Sequence, residues 1–239
     1  MQLRYISQIN DSQIDNNRTS DEGNSADTPI NAATSTPDDR LFIMFHGYGN
    51  DEHEMIRIIN AVYDIPEQKS DTVTHSLLLS QQPSYLSFRG TYDRPYMGGA
   101  YWYPDGCTVE ERRRACEQVS NAVVSLLDST MFTHRRKILV GFSQGGYLAY
   151  RMIADHPTLF DAAILLSPSC KGEDTTVLTS PTRIFLAYGA NDHTIPYDNQ
   201  ITARRVLNAA GHLEYHEYPG MAHAICDQEI TDIRDFLSR

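Results

Sequence analysis

Residues 137–154, "KILVGFSQGGYLAYRMIA", decide how the rest of the chain is read. The first part is an apolar run of the length and composition of a buried strand, and the part from Gly146 onward reads as a helix that stops before Pro157. Ser143 stands at the turn between them, inside the pattern Gly-x-Ser-x-Gly. In that context the turn is so tight that the serine backbone is strained, and a side chain at Gly141 or Gly145 would strike a neighbouring strand or helix. The hydroxyl is thereby lifted over the carboxyl edge of the sheet, onto the positive end of a helix where a developing oxyanion is favoured. From glycine and serine frequencies alone, the pattern arises by chance in about one chain of this length in ten to twenty. Its placement between a strand and a helix is what gives it weight.

A serine hydroxyl is a poor nucleophile until a base takes its proton, so a histidine and a carboxylate are expected further along, in the order Ser, Asp, His. Asp192 stands in "GANDHTIP", just after the strand-like "RIFLAY", and His223 stands in "PGMAHAI", just after "LEYHEY". Each falls at the carboxyl end of a strand, the edge already assigned to Ser143. Asp192 also fits a simple turn cap, with Asp198 as the substitute acid. Among the other histidines, His53, His75, His134, His156 and His193 carry no pattern pointing to the site, whereas His212 and His216 lie near the last strand. A tetrahedral intermediate further requires preorganised donors for its negative oxygen. The strand-like "LFIMF" runs straight into "HGYGND", whose glycines let the backbone fold close to Ser143, so the amides of Tyr48 and Gln144 are the expected donors, with His46 bracing the loop.

Working outward, short apolar runs of strand type ("LFIMF", "HSLLL", "KILVGF", "AAILLS", "RIFLAY") alternate with segments of helical periodicity. The clearest helix starts at Thr108, with Glu111 placed for a capping box and Val109, Cys116, Val119, Val123 and Leu127 on one face. Two more place Ala203, Val206, Leu207 and Ala210, then Cys226, Ile230, Ile233 and Leu237, on one face each. This order predicts an α/β protein with a mostly parallel sheet covered on both faces. Residues 1–9 form a candidate edge strand. Residues 10–37 are a polar insert with almost nothing to bury, expected to be disordered, and residues 38–239 form the catalytic domain.

At 239 residues and 41% hydrophobic, the chain supports one sizeable core. The formal net charge of −11 argues against nucleic acid or an anionic membrane surface as a partner. The clustered arginines Arg112, Arg113 and Arg114, and Arg135 with Arg136, are read as lying on a solvated helix face. Four cysteines without a CxxC pair suggest reduced thiols, and "GNDEHEM" surrounds His53 with acids but lacks a second histidine at helical spacing, so no metal site is expected. No apolar run approaches the ~18 residues of a membrane span, and no leader is evident at the amino end, so the cytoplasm is the expected compartment.

The segment "FRGTYDRPYMGGAYWYPDG", residues 88–106, follows a strand and gathers Tyr92, Tyr96, Tyr101, Trp102 and Tyr103 around two glycines. Aromatic walls suit an apolar acyl chain, so Tyr101 and Trp102 are candidate substrate contacts; the alternative is an aromatic plug under a long loop. Arg89 is placed either to bind a substrate anion or to pair with a local acid.

Together, "HGYGNDEHEM", "GFSQGG", "GANDHTIP" and "GMAHAI" resemble the motifs of the phospholipase/carboxylesterase family of α/β-hydrolases, over roughly residues 40–239. That resemblance implies an α/β-hydrolase fold without a large lid domain and an esterase or thioesterase with no cofactor. It also implies Ser143 as nucleophile, His223 as base and then acid, Asp192 orienting the imidazole, and Tyr48 with Gln144 as the oxyanion hole. Asn50 and Ile195 depart from the family's usual residues, and residues 88–106 resemble the bacterial branch more than the depalmitoylating one. The expected partner is a small soluble ester, and a homodimer is compatible with the sequence. Thioesterase, lysophospholipase, peptidase and acyltransferase chemistry remain open on the same triad. The rival of another class is a ligand-binding protein without turnover, against which the complete Ser143, Asp192 and His223 set argues.

Overall fold

The computed structural model describes residues 2–10, 39–64 and 82–239. A seven-stranded sheet runs through them in the order β1-β3-β2-β6-β7-β8-β9. The strands are β1 (Arg4–Gln8), β2 (Arg40–Phe45), β3 (Ser84–Arg89), β6 (Arg136–Phe142), β7 (Ala162–Leu166), β8 (Arg183–Gly189) and β9 (Leu213–Tyr218). A two-residue hairpin, β4 (Tyr92–Asp93) with β5 (Ala100–Tyr101), stands apart. Only β1, at one edge, pairs antiparallel; the other neighbours are parallel. A parallel sheet is covered on both faces, which is why its inner strands read as unbroken apolar runs.

Alternate residues of each strand feed two cores. Leu41, Ile43 and Phe45 of β2 join one face with α2 (Val109–Leu127), α3 (Gln144–Asp155) and α4 (Tyr197–Asn208). Phe42 and Met44 join the other with α1 (Glu52–Val62) and α5 (Asp227–Leu237). This is an α/β-hydrolase fold, and no large lid interrupts the described residues. None of their helices is long and apolar enough to cross a membrane.

The capping box of α2 is present: the Glu111 amide donates to the Thr108 hydroxyl at 3.2 Å and the Thr108 amide to the Glu111 carboxylate at 2.8 Å. One expectation needs amending. Of the arginine triplet, only Arg114 is fully exposed. Arg112 is buried with its guanidinium 4.2 Å from the Tyr147 ring centroid, and Arg113 grips the buried Glu173 carboxylate through two bonds, of 3.0 and 2.8 Å. Arg135, likewise, bonds the Ser84 hydroxyl at 2.9 Å rather than facing only solvent.

β3 and α1 are not among the segments singled out from the sequence. "SYLSFR" interleaves serines with large side chains, and both serines are buried because each has a partner: Ser87 donates to the Glu52 carbonyl at 2.6 Å and Ser84 accepts from the Asn10 amide at 3.0 Å. The run "HSLLL", and the polar insert beyond Asn10, lie outside the described residues.

Candidate active site

Ser143 is the residue at which β6 becomes α3. Its φ of 54° and ψ of −114° lie where a side chain is strained, at a cost on the order of 1–3 kcal/mol. The surroundings over-determine it: the Ser143 amide donates to the Leu166 carbonyl of β7 at 2.8 Å, while its own carbonyl accepts the Tyr147 amide at 3.1 Å. A methyl group at Gly141 would overlap the Gly145 carbonyl, and one at Gly145 would overlap the Phe45 carbonyl of β2, so the two glycines are there for clearance.

Asp192 and His223 are brought together by backbone staples between their loops. The Asn191 amide donates to the Met221 carbonyl at 2.8 Å and the Ala190 amide to the Tyr218 carbonyl at 2.9 Å; a side chain at Gly189 would overlap the Met221 carbonyl. One Asp192 oxygen, Oδ1, accepts the Thr194 and Ile195 amides at 2.9 and 3.0 Å. The other, Oδ2, lies 2.8 Å from His223 Nδ1. His223 Nε2 in turn lies 3.0 Å from Ser143 Oγ. A carboxylate only accepts, so Nδ1 carries the proton and the Nε2 lone pair faces the serine hydroxyl. Asp198 stands exposed in the first turn of α4 and does not enter this chain. The Phe142 ring lies tilted by 35° against the imidazole, ring centroids 4.8 Å apart.

The loop after β2 passes beside the serine: a Cβ on Gly47 would lie 3.6 Å from the Ser143 Cβ. It is anchored from three sides. His46, fully buried, accepts the Gly90 amide at Nε2 (2.8 Å), which leaves Nδ1–H to donate to the Gly47 carbonyl at 2.7 Å. Burial lowers the His46 pKa, so this ring is a neutral brace. The Gly47 amide donates to Glu54 Oε2 at 2.8 Å, and the Asn50 side chain donates to Oε1. Burial raises the Glu54 carboxyl, opposed by those two bonds. The hairpin clamps the loop's far end, through the Gly49 amide on the Ala100 carbonyl (2.8 Å) and the Ala100 amide on the Asn50 carbonyl (2.7 Å). The backbone amides of Tyr48 and Gln144 follow these anchored points on the two chain segments flanking Ser143. The Gln144 side chain is already engaged, accepting the Trp102 amide at 3.0 Å and donating to the Tyr103 carbonyl at 3.2 Å.

Of the candidate substrate contacts, Trp102 and Arg89 take the alternatives that the sequence left open. Trp102 is fully buried, its ring edge-on to Phe45 and its indole N–H donating to the His46 carbonyl at 2.8 Å; it is the plug, not a wall. Arg89 is neutralised by local acids, 3.3 Å from Glu52, 3.4 Å from Asp93 and 3.9 Å from Asp51. Tyr101 is half-buried between Tyr92 and Tyr48, with centroids 5.2 and 5.4 Å away. Asp51, Glu52 and His53 can offer one ligand atom each within 4.8 Å of one another, but Arg89 and the α1 amino end already engage both acids.

A groove of about 350 Å³ between α1 and α5 includes His223 in its wall, together with Ile58, Ala61, Phe142, Ile225 and Ile230 among others. Neither it nor Glu54 was singled out from the sequence. An acid in the first turn of a helix that directly follows a glycine-rich loop was the available signal for Glu54.

Residues 28–239 match the phospholipase/carboxylesterase family. A relative called acyl-protein thioesterase 1 from Kluyveromyces lactis is 24% identical over 228 residues, covering 88% of this chain and 98% of the relative. Another of that name from Mycosarcoma maydis is 25% identical over 142 residues, covering 55% and 59%. The crystal structure of esterase PE8 superposes with a TM-score of 0.65 at 20% identity, over 85% of this chain and 94% of that one. With nearly the whole length matched, the chain belongs to the phospholipase/carboxylesterase family of hydrolases.

Proposed function

We propose that the protein is a serine carboxylesterase that hydrolyses small, soluble carboxylic esters through an acyl-enzyme. The observation that carries this reading is the unbroken chain of bonds from Asp192 to His223 (2.8 Å) and from His223 to Ser143 (3.0 Å). In it, His223 Nε2 takes the hydroxyl proton as Ser143 Oγ attacks the ester carbonyl, and Asp192 Oδ2 holds the resulting imidazolium. The tetrahedral oxygen is held by the Tyr48 and Gln144 amides. Collapse breaks the bond to the alcohol, which leaves with the proton from Nε2, and water then repeats the sequence on the acyl-serine. Bond making, bond breaking and proton transfer all close on these residues, so no cofactor is invoked.

A second reading, thioester hydrolysis, is favoured by the name its relatives carry, acyl-protein thioesterase 1. The same steps serve both. Hydrolysis of p-nitrophenyl esters from acetate to palmitate, and of matched thioesters, by wild type and Ser143→Ala tests the proposal. Turnover by wild type alone is expected, with an oxyester preference and a short-chain optimum. Equal turnover by the two proteins sinks the serine mechanism, and a strong thioester preference moves the second reading to the front.

A further inference from the structure

We propose that the groove between α1 and α5 is the leaving-group site, which takes an uncharged, hydrocarbon-rich alcohol or thiol portion of the substrate; this deepens, and rests on, the ester-hydrolysis reading above. The inference starts from the direction of proton transfer. When the tetrahedral intermediate collapses, the C–O or C–S bond breaks and the departing atom receives its proton from His223 Nε2, the nitrogen 3.0 Å from Ser143 Oγ. The departing group must therefore lie on the imidazole side of the serine, whatever the acyl group does. The groove of about 350 Å³ has His223 itself in its wall, beside Phe142, the residue that precedes Ser143.

Its chemistry selects the occupant. Ile58 and Ala61 come from α1, Ile225 and Ile230 from the His223 loop and α5, and Phe142 from the end of β6. The charged members, Glu54, Arg57 and Asp227, offer no excess of positive charge to an anionic substrate. Glu54 is occupied by the Gly47 amide and the Asn50 side chain, while Arg57 and Asp227 are exposed and of opposite sign. The walls are also fixed relative to one another. Arg234 of α5 donates to the Val62 carbonyl at 2.8 Å and to the Ala61 carbonyl at 2.5 Å, tying the two helices together beyond the groove. By contrast, a second cleft of about 430 Å³, between residues 104–107 and α2, includes no member of the Ser143, Asp192 and His223 chain.

The test varies the two halves of the substrate independently. One series keeps the butyryl group and changes the alcohol from methyl to benzyl to naphthylmethyl, with the S-naphthylmethyl thioester alongside; the other keeps methyl and lengthens the acyl chain. Ala61→Trp should lower the naphthylmethyl-to-methyl ratio of kcat/KM on the order of tenfold, the consequence of losing about 50–60 Å² of apolar burial. Ile58→Ala, which widens the groove, should raise that ratio, and neither should shift the acyl-length optimum. The thioester should follow its oxyester if the groove takes both, and the faster of the two names the natural source. Ratios unmoved by both variants, or a shifted acyl optimum instead, overturn the assignment while wild-type turnover still stands. Absence of turnover by wild type overturns the hydrolase reading and the groove with it.

Discussion

Asp192 shows how one side chain can close a turn and face a histidine at once. Its Oδ1 closes the turn with the Thr194 and Ile195 amides, and its Oδ2 faces His223, so the turn-cap and triad readings were never exclusive. Substitution separates them. In Asp192→Asn the oxygen can still accept the two amides, but the side-chain NH₂ facing Nδ1 favours the tautomer with Nε2 protonated, which cannot accept from Ser143. We expect kcat to fall by roughly 10³–10⁴ with stability held within about 1 kcal/mol, measured by ester kinetics and urea unfolding of the same samples. A variant that keeps its rate would remove Asp192 from the mechanism. Histidines make the same point. His46 and His223 sit in neighbouring loops, yet both His46 nitrogens are committed to backbone partners, so burial and bonding make it a brace.

At the scale of elements, the helix behind Ser143 is held by a buried polar knot. Glu173, fully buried, receives Arg113 and the hydroxyls of Tyr147 and Thr176, both at 2.7 Å, and lies 3.8 Å from Arg151. Burial alone would raise its carboxyl, but bonds from Arg113, Tyr147 and Thr176 outweigh that and hold it at about 2 against an ordinary 4.5. A depressed folded-state value means that the stabilisation is complete above pH 4.5 and is lost as pH falls through about 2. Glu173→Gln should cost about 3 kcal/mol at pH 7, because it leaves Arg113 and Arg151 short of their counter-charge. Urea titrations from pH 7 to 2 should show the two proteins converging at the acid end; parallel curves would contradict the ion-network account.

This knot also marks where sequence reading stops at the level of elements. The inner strands were legible because burial on both faces demands continuous apolar runs, and α2 because its cap and stripe are local. Arg112 and Arg113 were not, since a basic triplet on a helix ordinarily faces water and nothing local signals an acid 60 residues away in sequence. The strand β3 was hidden for a similar reason: its serines are paid for by partners on other elements.

For the whole molecule, the legible part of the site is the part set by topology. Ser143, Asp192 and His223 each follow a parallel strand, so their chain order and their place at strand ends suffice to put them at one edge of the sheet. The Gly47 loop follows a fourth strand to that edge. What surrounds them depends on which loops meet, and there the sequence left alternatives open for Arg89 and Trp102: one faces three acids, the other bonds a carbonyl under the loop. The groove beside His223 depends on two helices, α1 and α5, separated by most of the chain.

The central claim is that Ser143 is a nucleophile activated by His223. Intact-mass analysis after exposure to a fluorophosphonate tests it most directly, because the reagent forms a stable bond only with a serine so activated. The expected result is a single adduct on wild type that maps to the peptide carrying Ser143, disappears in Ser143→Ala and forms far more slowly in His223→Ala. An unlabelled wild type, or an adduct that persists in Ser143→Ala, would contradict it.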